Sequence, residues 1–203
     1  MKHRIFIAIN LPEGIKENLI SYQKKIDGLF AFDWDEASFV KPIRWTKKEN
    51  LHITLVFLGY VREEGLLDLF RIVKEAALRN KSFEVYLNKI CYAPPKKMPP
   101  RMVWAIGERS SEFTALRDDL ERSLAASEKV SFTPENRAFS PHITLGRIKL
   151  WQWRQIEPEE RPNISEDISL NFRVNSVEIM ESRLKRKGPE YTVLKSCPLS
   201  DRG

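Results

Sequence analysis

The tetrapeptide His-Ile-Thr-Leu occurs twice in the chain, at residues 52–55 and again at residues 142–145. Both copies lie in apolar stretches of strand length, NLHITLVFLG and SPHITLGRI. Side chains on a β-strand alternate between its two faces, so each histidine shares a face with its threonine. The protein has three histidines, and two of them open these tetrapeptides. The repeat predicts two similar units, each contributing one such strand to a shared cleft.

The remaining elements predict an α+β fold of two similar lobes of antiparallel-type sheet with helices outside. The lobes are expected to be related by a pseudo-twofold axis, to enclose a central cleft and to form a single domain over residues 1–203. Strands are predicted at HRIFIAIN, IRWT, LHITLVFLG (ended by Gly59), Phe83–Cys91, Arg101–Gly107, His142–Lys149, roughly Ile168–Arg183 and Tyr191–Ser196. Helices are predicted from Pro12 (apolar positions Ile15, Leu19, Tyr22, Ile26), over Glu63–Leu78 (buried side Leu66, Leu67, Phe70, Val73, Ala77), and from an N-cap at Ser111 to about Ala126. Loops are predicted over residues 33–42 and at WRQIEPEERPN.

The composition is that of a globular protein, with 42% hydrophobic and 31% charged residues. Its apolar runs are far too short to span a membrane. The apolar N-terminal segment is closed by Asn10 and Pro12 without a cleavage site, so no signal peptide is expected. Cys91 and Cys197 are too few and too scattered for a disulfide framework or a zinc site. These features predict a cytoplasmic protein, and a monomer is expected.

The net charge of +6 has two interpretations, and the charge alone does not separate them. One is an anionic partner, and the other is a basic surface that maintains solubility. Basic clusters occur in PPKKMPPR (residues 94–101) and RLKRKG (residues 183–188), and both are expected to be exposed loops.

Two histidine–threonine pairs that face each other would form a site for metal-free phosphodiester chemistry. Histidine titrates near neutral pH, so one imidazole can accept a proton while the other donates one. The hydroxyls of Thr54 and Thr144 could donate hydrogen bonds to phosphate oxygens. The alternative is that the repeat arose by chance and that His52 and His142 are ordinary core residues.

Four blocks of the chain resemble, in order, those of the two-histidine phosphoesterase superfamily. They are RIFIAINLP, IRWTKKENLHITLVFLG, FSPHITLGR and ESRLKRKGPEYTVL. The most similar branch is the RNA 2′,3′-cyclic phosphodiesterase family, also called the 2′-5′ RNA ligase family. The resemblance covers nearly the whole chain and includes the paired H-x-T-x motifs, and four blocks in the right order are far more specific than either tetrapeptide.

This resemblance implies hydrolysis of a terminal 2′,3′-cyclic phosphate to a 2′-phosphate. His52 would be the acid that protonates the leaving 3′ oxygen, and His142 the base that activates water. Thr54 and Thr144 would hold the phosphate oxygens. The implied substrate is RNA with a cyclic phosphate end, or a small cyclic nucleotide, with no cofactor and no metal. The alternatives are a 2′-5′ RNA ligase, which runs the same chemistry backward, and a non-catalytic module that binds RNA ends.

Two further residues lie five positions after the two histidines. The resemblance implies that Arg147 binds the phosphate and that Phe57 stacks on a base. Strict alternation instead places both on the face opposite the histidines, together with Leu55, whereas Val56 would share the histidine face. An irregular strand, which Gly146 would permit in the second copy, would remove this conflict. Core packing is the favoured interpretation for Phe57, and the site is favoured for Arg147.

The remaining candidates have simpler explanations. His3 precedes the first strand and is expected to be an exposed terminal residue. Trp45 could stack on a nucleobase, but core packing is favoured. Asp33, Asp35 and Glu36 resemble a metal cluster only superficially, because no histidine or cysteine lies near them in sequence.

Overall fold

The computed structural model describes residues 1–30, 41–95, 97–134, 139–186 and 188–201. The strands are β1 (Lys2–Asn10), β2 (Ile43–Trp45), β3 (His52–Arg62), β4 (Phe83–Ala93), β5 (Met102–Gly107), β6 (His142–Ile148), β7 (Ser165–Val174), β8 (Ser176–Lys185) and β9 (Gly188–Pro198). The α-helices are α1 (Glu13–Gly28), α2 (Leu66–Arg79), α3 (Ser111–Ala125) and α4 (Leu150–Arg154), with short 3₁₀ turns at Lys48–Asn50, Glu63–Gly65 and Pro158–Glu160.

The described strands form one open sheet in the order β7-β4-β5-β6-β3-β1-β8-β9, and β2 pairs with β6 off this path. Neighbouring strands of this sheet run antiparallel. The order is symmetric about the junction of β3 and β6, because each of these strands leads outward through three further strands. The predicted α+β fold with two similar antiparallel lobes is confirmed, and the lobes are joined edge to edge in a single sheet.

The three longer helices pack on one face of the sheet. Leu19 of α1, Leu69 of α2 and Leu116 of α3 belong to the same buried cluster as the alternate residues Ile5, Ile7 and Ile9 of β1. The intervening residues of β1, Phe6 and Ala8, belong to a separate small cluster with Met180 and Tyr191. This second face also carries His52 and His142, as shown below, and we call it the histidine face.

Several predicted boundaries are wrong in instructive ways. Strand β3 does not end at Gly59. This glycine takes a φ of 72°, and the strand continues to Arg62. The predicted strand Ile168–Arg183 is two strands, β7 and β8, which separate at Asn175. The segment predicted as a polar loop contains the end of α4, where Trp153 is buried against the core.

The helix predictions hold with small shifts. The cap of α3 is Ser110 rather than Ser111, since the Ser110 hydroxyl accepts a hydrogen bond from the backbone N–H of Phe113 at 3.1 Å. Leu67, predicted on the buried side of α2, is 79% exposed. Most of the loop predicted over residues 33–42 lies outside the described residues. None of the described helices has the length and apolarity that crossing a membrane requires.

Candidate active site

The two HITL strands meet at a single pair of residues in the described structure. Ile53 of β3 lies opposite Ile143 of β6 in antiparallel register, and both are completely buried on the helix side. Neighbouring residues point to the other face, so this register sets Thr54 beside His142 and His52 beside Thr144. The structure thus brings all four predicted residues together at the centre of the histidine face.

The two imidazoles are anchored in the same way. Nδ1 of His52 donates to the backbone carbonyl of Asn50 at 2.7 Å, and Nδ1 of His142 donates to the carbonyl of Ser140 at 2.7 Å. A carbonyl oxygen can only accept, so Nδ1 carries the proton in each ring. Nε2 is therefore the atom that gains or loses a proton. In the first copy, Nε2 of His52 also lies 2.9 Å from the hydroxyl oxygen of Thr54.

Aromatic rings cover His52 from two sides. The ring of Phe6 lies 5.1 Å away and that of Tyr191 lies 5.3 Å away, edge on. This burial lowers the pKa of His52 below its usual value. The hydrogen bond to Asn50 opposes the shift, whereas the positive charges of His142 and Lys16 add to it. Burial thus favours the neutral form of the His52 imidazole in the free protein.

His142 has a different aromatic neighbour. The indole of Trp104 on β5 stacks on its imidazole with ring centroids 3.7 Å apart and an angle of 23° between the planes. Stacking fixes the plane of the ring. The two histidines thus share one anchoring bond but differ in their aromatic surroundings.

A β-bulge interrupts both HITL strands at the same position. In β3, Thr54 pairs with Ala8 and Val56 pairs with Ile7, so Leu55 is the extra residue. In β6, Thr144 pairs with Trp104 and Gly146 with Val103, so Leu145 is the extra residue. Each bulge shifts the alternation by one residue. Strict alternation is therefore wrong beyond the fourth residue of each motif.

These bulges decide where the fifth residue after each histidine points. Phe57 is 58% exposed, and its ring lies 6.2 Å from that of Phe6 on the histidine face. Core packing for Phe57 is therefore wrong, and Val56 occupies the core in its place at 3% exposure. Arg147 is also exposed, and its guanidinium contacts the sulfur of Met102 at 3.9 Å. Both residues thus lie on the same face as the histidines.

Gly146 follows the bulge in β6, at a point where β2 approaches the strand closely. A Cβ atom at this position would lie 2.6 Å from Cγ2 of Ile43 and 2.9 Å from Cε3 of Trp45. The first copy has Val56 at the matching position, so glycine is needed for packing against β2 rather than for the bulge itself. Trp45 packs against the core and donates its ring N–H to Asp27 at 2.8 Å, as favoured from the sequence.

His3 is not an exposed terminal residue as predicted. It lies within β1, and its Nδ1 is 2.7 Å from a carboxylate oxygen of Glu181 on β8. The two side chains are 14% and 7% exposed. Asp33, Asp35 and Glu36 fall outside the described residues. Among the residues that are described, no group of three His, Cys, Asp or Glu side chains is placed to hold a metal ion.

Four residues at the site were not identified from the sequence. Phe6, Tyr191 and Trp104 enclose the imidazoles, and each is an aromatic residue in a strand, which the sequence cannot distinguish from a core residue. Lys16 of α1 is only 8% exposed and lies close enough to His52 for its charge to lower the histidine pKa. Lys16 lies near the start of the helix that directly follows β1, and this position is the sequence feature from which it could have been identified.

The β8–β9 hairpin reaches the same site from the C-terminal part of the chain. The side-chain amide of Asn50 donates to the carbonyl of Pro189 at 3.0 Å, while the Asn50 carbonyl holds His52. Asn50 therefore links this hairpin to the first motif. The basic cluster RLKRKG lies at the end of the hairpin, where Arg183, Lys185 and Arg186 are exposed as predicted. The loop predicted there is wrong in part, because Arg183 and Lys185 belong to strand β8.

Comparison with known proteins agrees with this geometry. Residues 9–104 and 107–191 match the model of the family described as LigT like Phosphoesterase. The chain belongs to this family. Two of its relatives are named RNA 2′,3′-cyclic phosphodiesterase. The one from Methanothermobacter thermautotrophicus is 32% identical over 200 residues (95% of this chain and 96% of the relative), and the one from Thermus thermophilus is 30% identical over 202 residues (97% and 90%).

Solved structures of the family have the same fold. The Thermus thermophilus protein TT0787 matches with a TM-score of 0.78 and 29% identity, covering 98% of this chain and all of that one. The Escherichia coli LigT protein in complex with 3′-AMP matches with a TM-score of 0.72 and 25% identity, covering 98% and 99%.

Proposed function

We propose that this protein is an RNA 2′,3′-cyclic phosphodiesterase that hydrolyses a terminal cyclic phosphate to a 2′-phosphate. The observation that carries the proposal is the pair of identically anchored imidazoles, His52 and His142, at the junction of β3 and β6. The names of the relatives and membership of the family support it. The proposed substrate is RNA with a cyclic phosphate end or a small cyclic nucleotide.

The anchoring suits proton transfer on both sides of one phosphorus atom. In the proposed reaction, Nε2 of His142 takes a proton from water as the water oxygen attacks phosphorus. The bond from phosphorus to O3′ breaks, and Nε2 of His52 gives its proton to the departing O3′. The product is a 2′-phosphate with a free 3′-hydroxyl. Thr54 and Thr144 donate hydrogen bonds to the non-bridging oxygens, where negative charge increases during the reaction.

His52 must be protonated to act as the acid, although burial lowers its pKa in the free protein. A bound cyclic phosphate brings a negative charge beside the ring, and such a charge raises the pKa of imidazole. His52 therefore takes up its proton as substrate binds. Arg147 adds positive charge for the phosphate, and the exposed ring of Phe57 offers a stacking surface for the terminal base.

Hydrolysis of a cyclic-phosphate oligonucleotide in the presence of EDTA tests the proposal. Wild type is expected to open the ring and yield the 2′-phosphate, identified by mass spectrometry and by resistance of the product to 3′-phosphatase. His52→Ala and His142→Ala are each expected to lose at least about 100-fold in kcat. Retained activity in either variant would exclude the two-histidine mechanism, and loss with EDTA alone would exclude the metal-free one.

The remaining features are proposed on narrower grounds. A single domain of two lobes is proposed because the strand order is symmetric about β3 and β6. A cytosolic location is proposed because both cysteines, Cys91 and Cys197, are free thiols. The protein is also proposed to be a monomer, which size-exclusion chromatography with light scattering would test.

A further inference from the structure

Two arginines lie directly opposite each other beside the candidate active site. Arg44 of β2 pairs with Arg147 of β6 in antiparallel register, so their side chains leave the sheet on the same face. Both residues are exposed. Like charges at directly opposed positions destabilise a sheet. A negative charge bound between the two guanidinium groups would relieve this repulsion.

The described part of the chain does not supply that charge. Neither guanidinium takes part in an ion pair there, and the Arg147 guanidinium contacts the neutral sulfur of Met102. Asp27 approaches β2, but its carboxylate accepts hydrogen bonds from the Trp45 ring N–H and the Lys41 ammonium. Lys149, two residues beyond Arg147, is half-exposed and adds a third cation. An anion from outside the chain would be bound here with little competition.

The position of Arg44 and Arg147 in the sheet indicates where this anion would lie relative to the two histidines. Strand β6 is flanked by β3 at Ile143, but it is flanked by β2 at Gly146 and Arg147. Strand β5 occupies the other edge of β6, so β2 and β3 share one edge, and Arg44 and Arg147 lie side by side beyond His52 and Thr144. Arg147 is three residues beyond Thr144 and a strand rises about 3.3 Å per residue, so the two arginines leave the sheet about 10 Å along β6 from the histidine–threonine cluster. A second anionic group of a ligand whose cyclic phosphate occupies the cluster could thus lie over the Arg147 and Arg44 pair.

We propose that Arg44 binds the internucleotide phosphate that precedes the terminal nucleotide of an RNA substrate. This inference rests on the proposed function, and it makes the protein selective for oligonucleotides over mononucleotides. A nucleoside 2′,3′-cyclic phosphate has only the reacting phosphate and cannot contact Arg44 in this way. Arginine suits the role because its planar guanidinium can donate two hydrogen bonds to one phosphate.

The test compares Arg44→Gln with wild type on a nucleoside 2′,3′-cyclic phosphate and on a trinucleotide that ends in the same group. Arg44→Gln is expected to keep kcat/KM on the mononucleotide within twofold and to lower it about tenfold on the trinucleotide. Arg44→Lys should recover part of the loss, because it keeps the charge but not the paired donors. Arg173→Gln, a matched change at an exposed arginine of β7, should alter neither rate.

Binding measurements separate the failure of this inference from failure of the proposed function. Calorimetry would give the affinity for a trinucleotide ending in a 2′-phosphate, and its dependence on salt. Arg44→Gln is expected to reduce the slope of log affinity against log salt concentration by about 0.7, as loss of one single-strand phosphate contact should. Equal affinity for wild type and Arg44→Gln would overturn the Arg44 site, as would equal losses on both cyclic substrates. Wild type that binds the trinucleotide but opens no ring would overturn only the proposed function.

Discussion

Ile53 lies opposite Ile143 where β3 and β6 meet, and both side chains are fully buried under the helices. The adjoining histidines and threonines must therefore face the other way. A slip of one residue in this register would turn both HxT pairs into the core. The position of the four polar groups is thus set by the burial of two isoleucines, and it does not depend on contacts among the polar groups themselves.

Phe57→Ala is expected to raise KM for nucleoside 2′,3′-cyclic phosphates about tenfold while kcat changes little. The exposed ring offers a stacking surface worth about 1–3 kcal/mol per base, and it does not touch the reacting atoms. Steady-state kinetics on purine and pyrimidine substrates would measure the effect. Tyr60→Ala, at another exposed aromatic of β3, is the matched control and should leave KM unchanged. A fall in kcat without a change in KM would contradict base stacking.

His52 should make the protein less stable as the pH falls below 6.5. Its folded-state pKa is lowered by burial, so the unfolded chain binds more protons in this range and stability rises with pH. Urea unfolding at pH 7.5 and pH 5.5 would measure the difference, and His52→Gln should reduce it. Direct NMR titration of His52 should show its pKa rising in Lys16→Gln, where one positive charge is removed. A falling pKa in that variant would be inconsistent with the present geometry.

Gly146→Ala is expected to destabilise the protein by about 1–3 kcal/mol, because the added methyl group would collide with Ile43 and Trp45. Urea denaturation would measure this cost. Gly14→Ala is the matched control, since a Cβ at that position meets nothing within 4 Å. Gly14 lies in α1, so its replacement should stabilise by about 0.4–1 kcal/mol. Equal effects of both substitutions would show that β2 does not hold Gly146 tightly.

His3→Ala is expected to cost about 1–3 kcal/mol at neutral pH, because it removes a buried partner of Glu181. The hydrogen bond from His3, and then that from Arg183, lowers the pKa of Glu181 below its ordinary value of 4.5. The pair therefore stabilises the fold above pH 4.5, and this contribution is lost as the pH falls through the lowered pKa. Denaturation at several pH values would measure it, with Lys2→Ala as an exposed neighbouring control. A cost that persists at pH 2 would assign the effect to packing.

The sequence predicted the histidine–threonine pairs because alternation needs to hold for only three residues, from His52 to Thr54 and from His142 to Thr144. The prediction that Phe57 packs in the core was wrong, because the bulge at Leu55 arises from the pairing of β3 with β1. His3 was misjudged for a related reason, since its partner Glu181 is 178 residues away in sequence. Local patterns thus identified most of the elements and the proposed reacting groups, whereas contacts between distant strands determined how the surrounding residues point.

The two matched bulges start a second phase of alternation within each HITL strand. Alternation before the bulge sets the face on which the histidine and the threonine lie. Alternation after Leu55 or Leu145 sets the face on which Phe57 or Arg147 lies. A substitution at either of the latter positions leaves the first phase in place. Such a scaffold can exchange an aromatic residue for a cation, as its own two halves have done, and so change what it holds without moving the imidazoles.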